Sequence, residues 1–128
     1  MKLLLDTHTL VWWLNDDGRL SNMVRQVVGS PDSDCLVSAA SAWEVATKVR
    51  RKRWPQAEVL SSDFKAIVTR FGFQLIGITA DHALAAGKFD ADHQDPFDRM
   101  LAAQTLIEDA TLVTFDPAFV QFDIRTVW

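Results

Sequence analysis

The chain has 128 residues, 48% of them hydrophobic, including eight Phe and five Trp against only five Gly and four Pro. That is enough apolar material for one domain core, and with no repeat-length period visible it excludes a disordered, low-complexity or repeat chain. A net charge of −4 speaks against a general nucleic-acid coat protein, because such binding neutralises phosphates with Lys and Arg.

Leu3-Leu4-Leu5 is a short apolar run ending at Asp6 and reads as a buried strand. Three leucines are too few for a signal-peptide core, and no stretch approaches the roughly 18 apolar residues of a membrane span. Thr9 to Leu14 has the apolar density of a helix packed on a sheet. Leu20-Ser21-Asn22 supplies a cap, and Met23, Val24, Val27 and Val28 predict a helix over 21–29, stopped by Gly29-Ser30-Pro31. Cys35-Leu36-Val37 reads as a second buried strand. Cys35 is the only cysteine, so no internal disulfide or cysteine zinc site can form, and its apolar neighbours predict a buried thiol in a reducing cytoplasm. Ser38 or Ser41 caps a helix over 40–52 that ends before Trp54-Pro55.

Apolar residues at 64, 67, 68 and 71 predict a single amphipathic helix over 61–71, ended by Gly72. Residues 73–78 are strand-like. Thr79 and Asp81 cap a short helix through Ala86, and a further helix begins at Pro96 with Leu101 and Leu106 on its core side. Leu112 to Phe115 is the last clear strand, closed by Asp116-Pro117, and 123–127 adds an edge strand. Short apolar runs alternating with amphipathic helices predict an α/β fold: one domain, 1–128, with a central, mainly parallel β-sheet flanked by helices.

Open parallel sheets bind ligands beyond the carboxyl ends of their strands. Asp6 and Asp116 each follow a predicted strand, so central strands would bring both carboxylates to one rim; each is equally a candidate helix or turn cap. Glu44, one of only three Glu, lies between Trp43 and Val45 and needs a cation or a hydrogen-bond partner if that helix face is buried. Asp95 stands at the cap position before Pro96, and Asp98 lies in the first helical turn, where negative charge suits the helix dipole. Arg99 points elsewhere and is expected to pair with another carboxylate. Several acids at one place repel one another without a cation, so the cluster implies a divalent metal. Carboxylates are hard oxygen ligands suited to Mg²⁺ or Mn²⁺, whose bound water can attack a phosphodiester.

Five of the 13 basic residues, Lys48, Arg50, Arg51, Lys52 and Arg53, fall in one stretch after Glu44. They are either a solvated helix C-terminus or a phosphate-binding run beside the acids. His8 and His93 flank the acidic motifs and serve either as substrate contacts or as caps and surface groups. Trp12 and Trp13 read first as core residues; being adjacent on a helix they cannot face the same way, so one of them is alternatively a candidate for a partner surface.

Four segments together resemble the motifs of PIN-domain proteins: Leu-Leu-Leu-Asp-Thr-His at 3–8, Ser-Ala-Ala-Ser-Ala-Trp-Glu-Val at 38–45, His-Gln-Asp-Pro-Phe-Asp-Arg-Met-Leu-Ala-Ala-Gln at 93–104, and Leu-Val-Thr-Phe-Asp at 112–116. The likeness is greatest to the VapC-type toxins of toxin–antitoxin pairs, with an Asp-Pro-Phe-Asp-Arg subgroup signature. The resemblance implies a PIN-like fold and an endoribonuclease in which Asp6, Glu44, Asp98 and Asp116 hold Mg²⁺ or Mn²⁺, with Asp95 as a further ligand candidate. It also implies an RNA substrate, a small antitoxin partner and a homodimer; if the substrate is RNA, the candidates to contact it from the charge reading are Lys48, Arg50, Arg51 and Arg53 with His8 and His93. Two alternatives stand beside it: a non-catalytic PIN-like module binding RNA or protein, and another phosphoryl hydrolase using Asp6 as nucleophile.

Overall fold

The computed structural model describes residues 1–128. Five strands, β1 (Lys2–Leu5), β2 (Asp34–Ser38), β3 (Gln74–Ile76), β4 (Thr111–Val113) and β5 (Thr126–Val127), form one sheet in the order β3-β2-β1-β4-β5. Every pairing is parallel, with Leu4 opposite both Leu36 and Leu112. β1 is central because Leu3, Leu4 and Leu5 are all fully buried, which is what a strand covered on both faces requires.

The two-residue period of the strands divides the core. Leu3, Leu5, Cys35, Val37 and Val113 point to one face, where they meet α1 (Thr7–Leu14), α2 (Asn22–Gly29), α3 (Ala39–Arg50), α4 (Glu58–Ser62) and α5 (Phe64–Arg70). Leu4, Leu36 and Leu112 point to the other, where they pack on Leu101 and Ala102 of α7 (Pro96–Ile107) and on Phe119 and Phe122. Helix α6 (Ala80–Lys88) lies against α7. Cys35 is a buried free thiol whose pKa burial pushes up, as its neighbours predict. No helix is long and apolar enough to cross a membrane.

Three sequence expectations need correction. The predicted helix over 61–71 is two helices, broken at Asp63 (φ −145°, ψ 45°). Ser61, Ser62 and Asp63 compete for backbone hydrogen bonds and disfavour a helix interior; Leu60 and Ile67, on either side of the break, both stay buried. The predicted edge strand over 123–127 keeps only Thr126–Val127, because Pro117–Phe122 winds into a 3₁₀ turn that ends at Asp123 in the left-handed region (φ 52°). Leu106 is 50% exposed; it sits in the last turn of α7, whose buried residues are the five from Leu101 to Thr105.

Candidate active site

Asp6 leaves β1 and caps α1 at once: its Oδ1 accepts the His8 backbone N–H at 3.3 Å. Its Oδ2 accepts the hydroxyl proton of Thr114 at 2.6 Å. The capping and rim roles weighed for Asp6 are thus filled by one carboxylate. Thr9 donates to the Val113 carbonyl at 2.8 Å and the Asp6 N–H donates to the same carbonyl at 3.1 Å, so α1 is tied to the end of β4. Asp6 is only 5% exposed. Burial raises its pKa, and the charge of Glu44 adds to the rise; the Thr114 hydroxyl and His8 oppose it.

Glu44, buried on α3, meets the cation its apolar neighbourhood calls for. The Lys48 ammonium, one turn along the same helix, lies 2.5 Å from its Oε2. Lys48, in the run weighed as a helix end or as a phosphate-binding stretch, pairs its charge with Glu44, because a buried carboxylate takes the nearest cation. Next to this pair, the Thr7 and Ser41 hydroxyls hydrogen-bond at 2.8 Å and join the first turns of α1 and α3.

At the start of α7, Asp95 is the N-cap, its Oδ1 accepting the N–H groups of Phe97 at 2.8 Å and Asp98 at 3.1 Å. Asp98 Oδ2 lies 2.7 Å from His93 Nε2. Burial raises the Asp98 pKa to about 7, and the charges of Asp95, Asp6 and Glu44 push the same way against the His93 hydrogen bond. Asp6, Glu44 and Asp98, from β1, α3 and α7, therefore share one electrostatic site. No three acid or imidazole side chains converge tightly enough to form a ready-made cage for an ion.

Arg99 corrects an expectation. It pairs with no carboxylate; its guanidinium donates to the carbonyls of Ala86, Phe89, Ala91 and His93 at 2.6 to 3.1 Å. The planar fork of donors suits a loop with several unpaired carbonyls, and it holds in place the segment that carries His93 to Asp98.

Asp116 fills the turn-cap role weighed for it. β4 ends at Val113, so Asp116 lies beyond the strand end on an exposed turn, where its Oδ1 caps the 3₁₀ turn through the Ala118 N–H at 2.9 Å. Its backbone N–H donates to the Thr114 hydroxyl at 3.1 Å, the same hydroxyl that donates to Asp6. Thr114 is the site residue that sequence reasoning passed over. The signal was its place in the last motif, one residue past the strand that pairs with β1. His8 is exposed, with its ring 4.6 Å from Trp54 and 6.0 Å from Trp12. Arg50, Arg51 and Arg53 are exposed and form no ion pair.

Buried carboxylates at the carboxyl rim of the central strand stand where open parallel α/β sheets bind their ligands. The sequence matches the PIN domain over residues 3–124, and the chain belongs to that family. No curated protein matches it in sequence. Among solved structures, it is similar to VapBC2 from Rickettsia felis bound to a DNA fragment from their promoter, with a TM-score of 0.71 and 18% identity over 100% of this chain and 99% of that one. It is similar as well to VapBC-1 from nontypeable Haemophilus influenzae (TM-score 0.66, 15% identity, 99% of this chain and 97% of that one). A third is FitAcB from Neisseria gonorrhoeae (TM-score 0.67, 17% identity, 98% and 96%). At these identities the likeness is one of fold.

Proposed function

We propose that this chain is a metal-dependent endoribonuclease, the VapC-type toxin of a toxin–antitoxin pair. The observation that carries the reading is that three separate elements supply carboxylates to the candidate site: Asp6 at the end of β1 and Glu44 on α3, both buried, and Asp98 in the first turn of α7, with charges that add to the burial-driven rise of Asp6 and Asp98. Mg²⁺ or Mn²⁺ suits this donor set. All the ligating atoms are hard oxygens, and a divalent cation would offset both the burial that chiefly raises Asp6 and Asp98 and the neighbouring charges that add to the rise. Asp6, Glu44 and Asp98 would hold it, with Asp116 and Asp95 as outer candidates. When bound, the ion supplies Lewis-acid activation of the phosphodiester and its attacking water.

The chain's own groups do the rest. Thr114 and the His8 N–H orient Asp6. His93, hydrogen-bonded through Nε2 to Asp98 Oδ2, orients that carboxylate. Arg50, Arg51 and Arg53 meet the RNA backbone, offsetting the negative charge of the site. The VapBC assemblies among the structural neighbours support a small antitoxin partner. Trp43, 57% exposed with Phe97 at 4.6 Å, is an aromatic patch suited to that partner or to a second copy in a homodimer. The buried free thiol of Cys35 suits the cytoplasm.

One observation favours a second reading, a non-catalytic RNA- or protein-binding module. Lys48 and His93 already engage Glu44 and Asp98. Incubation of the purified chain with RNA separates the two. The nuclease reading expects cleavage with Mg²⁺ or Mn²⁺, none in excess chelator, and none in Asp6→Asn or Asp98→Asn with circular dichroism unchanged. Undiminished cleavage in chelator removes the metal from the mechanism, and absence of both cleavage and metal binding leaves the module.

A further inference from the structure

A cleft of about 370 Å³ adjoins the carboxylates, lined in part by His8, Trp12, Arg19, Arg51, Arg53 and Trp54. It shares two elements with the site. Lys48, on its wall, reaches Glu44, and the backbone N–H of His8 reaches Asp6. We propose that this cleft is a subsite for one unpaired nucleotide of the RNA strand next to the scissile phosphate. The base seats against His8 and the Arg19–Trp12 stack, and the phosphate lies between Arg51 and Arg53. The proposal rests on the ribonuclease reading.

The aromatic groups form a braced platform. The His8 ring is exposed and backed by Trp54 at 4.6 Å, and Trp12 is wedged against Trp128 at 5.6 Å and Phe115 at 6.5 Å. The Arg19 guanidinium lies 4.6 Å from the Trp12 ring centre, held there by an ion pair with Asp17 at 2.8 Å that draws the Asp17 pKa down to about 2. Rings and guanidinium planes of this kind stack on bases without demanding a particular sequence.

The charges divide by task. Of the four cations in the cleft, Lys48 is committed to Glu44 and Arg19 to Asp17, whereas Arg51 and Arg53 are exposed and have no carboxylate partner. Two uncommitted guanidiniums that line the same cleft as the aromatic groups match a nucleotide, with its anionic and apolar ends, better than an acidic side chain. The volume falls in the range of about 300–1,000 Å³ usual for small-ligand sites. A base inside a duplex is stacked on its neighbours and cannot enter, so the cleft selects single strands.

The test is fluorescence anisotropy of a short labelled RNA, single-stranded or annealed to its complement, with the protein in chelator so that nothing is cleaved. A second RNA carries 2-aminopurine, whose emission falls on stacking. Wild type is expected to prefer the single strand by roughly tenfold and to quench 2-aminopurine, with His8→Ala losing roughly tenfold in affinity and the quench. His8→Phe keeps both, which separates a stacking role from a general effect on the fold. The double variant Arg51→Gln, Arg53→Gln weakens binding and flattens its salt dependence. Equal binding of single strand and duplex, or unchanged affinity in both His8→Ala and the double variant, overturns the subsite. So does normal RNA binding by these variants combined with loss of a co-purifying small protein, which assigns the cleft to that partner. Cleavage with Mg²⁺ or Mn²⁺, scored separately, distinguishes the two readings. Cleavage with normal binding by the variants removes only the subsite, and the expected binding pattern without cleavage removes only the nuclease.

Discussion

The Thr114 hydroxyl donates to Asp6 at 2.6 Å across 108 residues of sequence, while accepting the Asp116 N–H at 3.1 Å. One small side chain thus joins the ends of β1 and β4 and stabilises the ionised form of a buried carboxylate. Thr114→Val leaves Asp6 without its side-chain donor and the Asp116 N–H without its acceptor. The expected cost is about 1–3 kcal/mol in urea denaturation. Because the lost hydrogen bond favours the charged form, the Asp6 pKa rises further and the acid limb of the cleavage profile moves to higher pH. Thr114→Ser should behave like wild type; an unmoved acid limb in Thr114→Val would separate Thr114 from the chemistry.

Asp98 makes metal-free stability depend on pH with a defined sign. Its folded pKa is about 7, against an ordinary 3.8, so the folded chain holds a proton that the unfolded chain releases. The contribution is fully present below about pH 4 and is lost as pH rises through 7. Melting temperatures in chelator should therefore fall between pH 4 and 7 in wild type. Asp98→Asn should show a weaker fall and exceed wild type at pH 7.5. Adding Mg²⁺ or Mn²⁺ at pH 7.5 should raise the wild-type melting temperature by mass action and do less for the variant. A variant no more stable than wild type at pH 7.5 would contradict the assignment.

Arg99 supports the loop between α6 and α7 through four carbonyls. Arg99→Lys offers a point charge in place of a planar fork and cannot meet them all. Hydrogen exchange should quicken across residues 86–95, and stability should drop by about 1–3 kcal/mol. Cleavage should fall as well, since His93 loses its fixed place beside Asp98. Exchange unchanged from wild type would show that the loop holds itself.

Expression of the chain alone is predicted to arrest bacterial growth, with relief on co-expression of an adjacent small gene. Asp6→Asn at matched protein level should be harmless. If wild type and variant are equally harmless and no partner co-purifies, the toxin reading falls while the nuclease reading can stand.

Much of this arrangement follows from local sequence. Leu3-Leu4-Leu5 before Asp6, the Ser38 cap, and Asp95-Pro96 are short-range signals, because burial period, cap chemistry and proline's fixed φ act within a few residues. They place the strands, the parallel sheet and the rim carrying Asp6. Only the tertiary structure decided what each polar group does there. Lys48 pairs with Glu44, Arg99 turned from the expected carboxylate to four carbonyls, and Asp116 caps an exposed turn while Thr114 donates to Asp6. Hydrogen-bond and charge partners are chosen by proximity through space, and desolvation makes each choice matter in proportion to burial. A carboxylate's sequence neighbours report that it needs a partner, and the packing of β1 against β4, or α6 against α7, determines which one it finds.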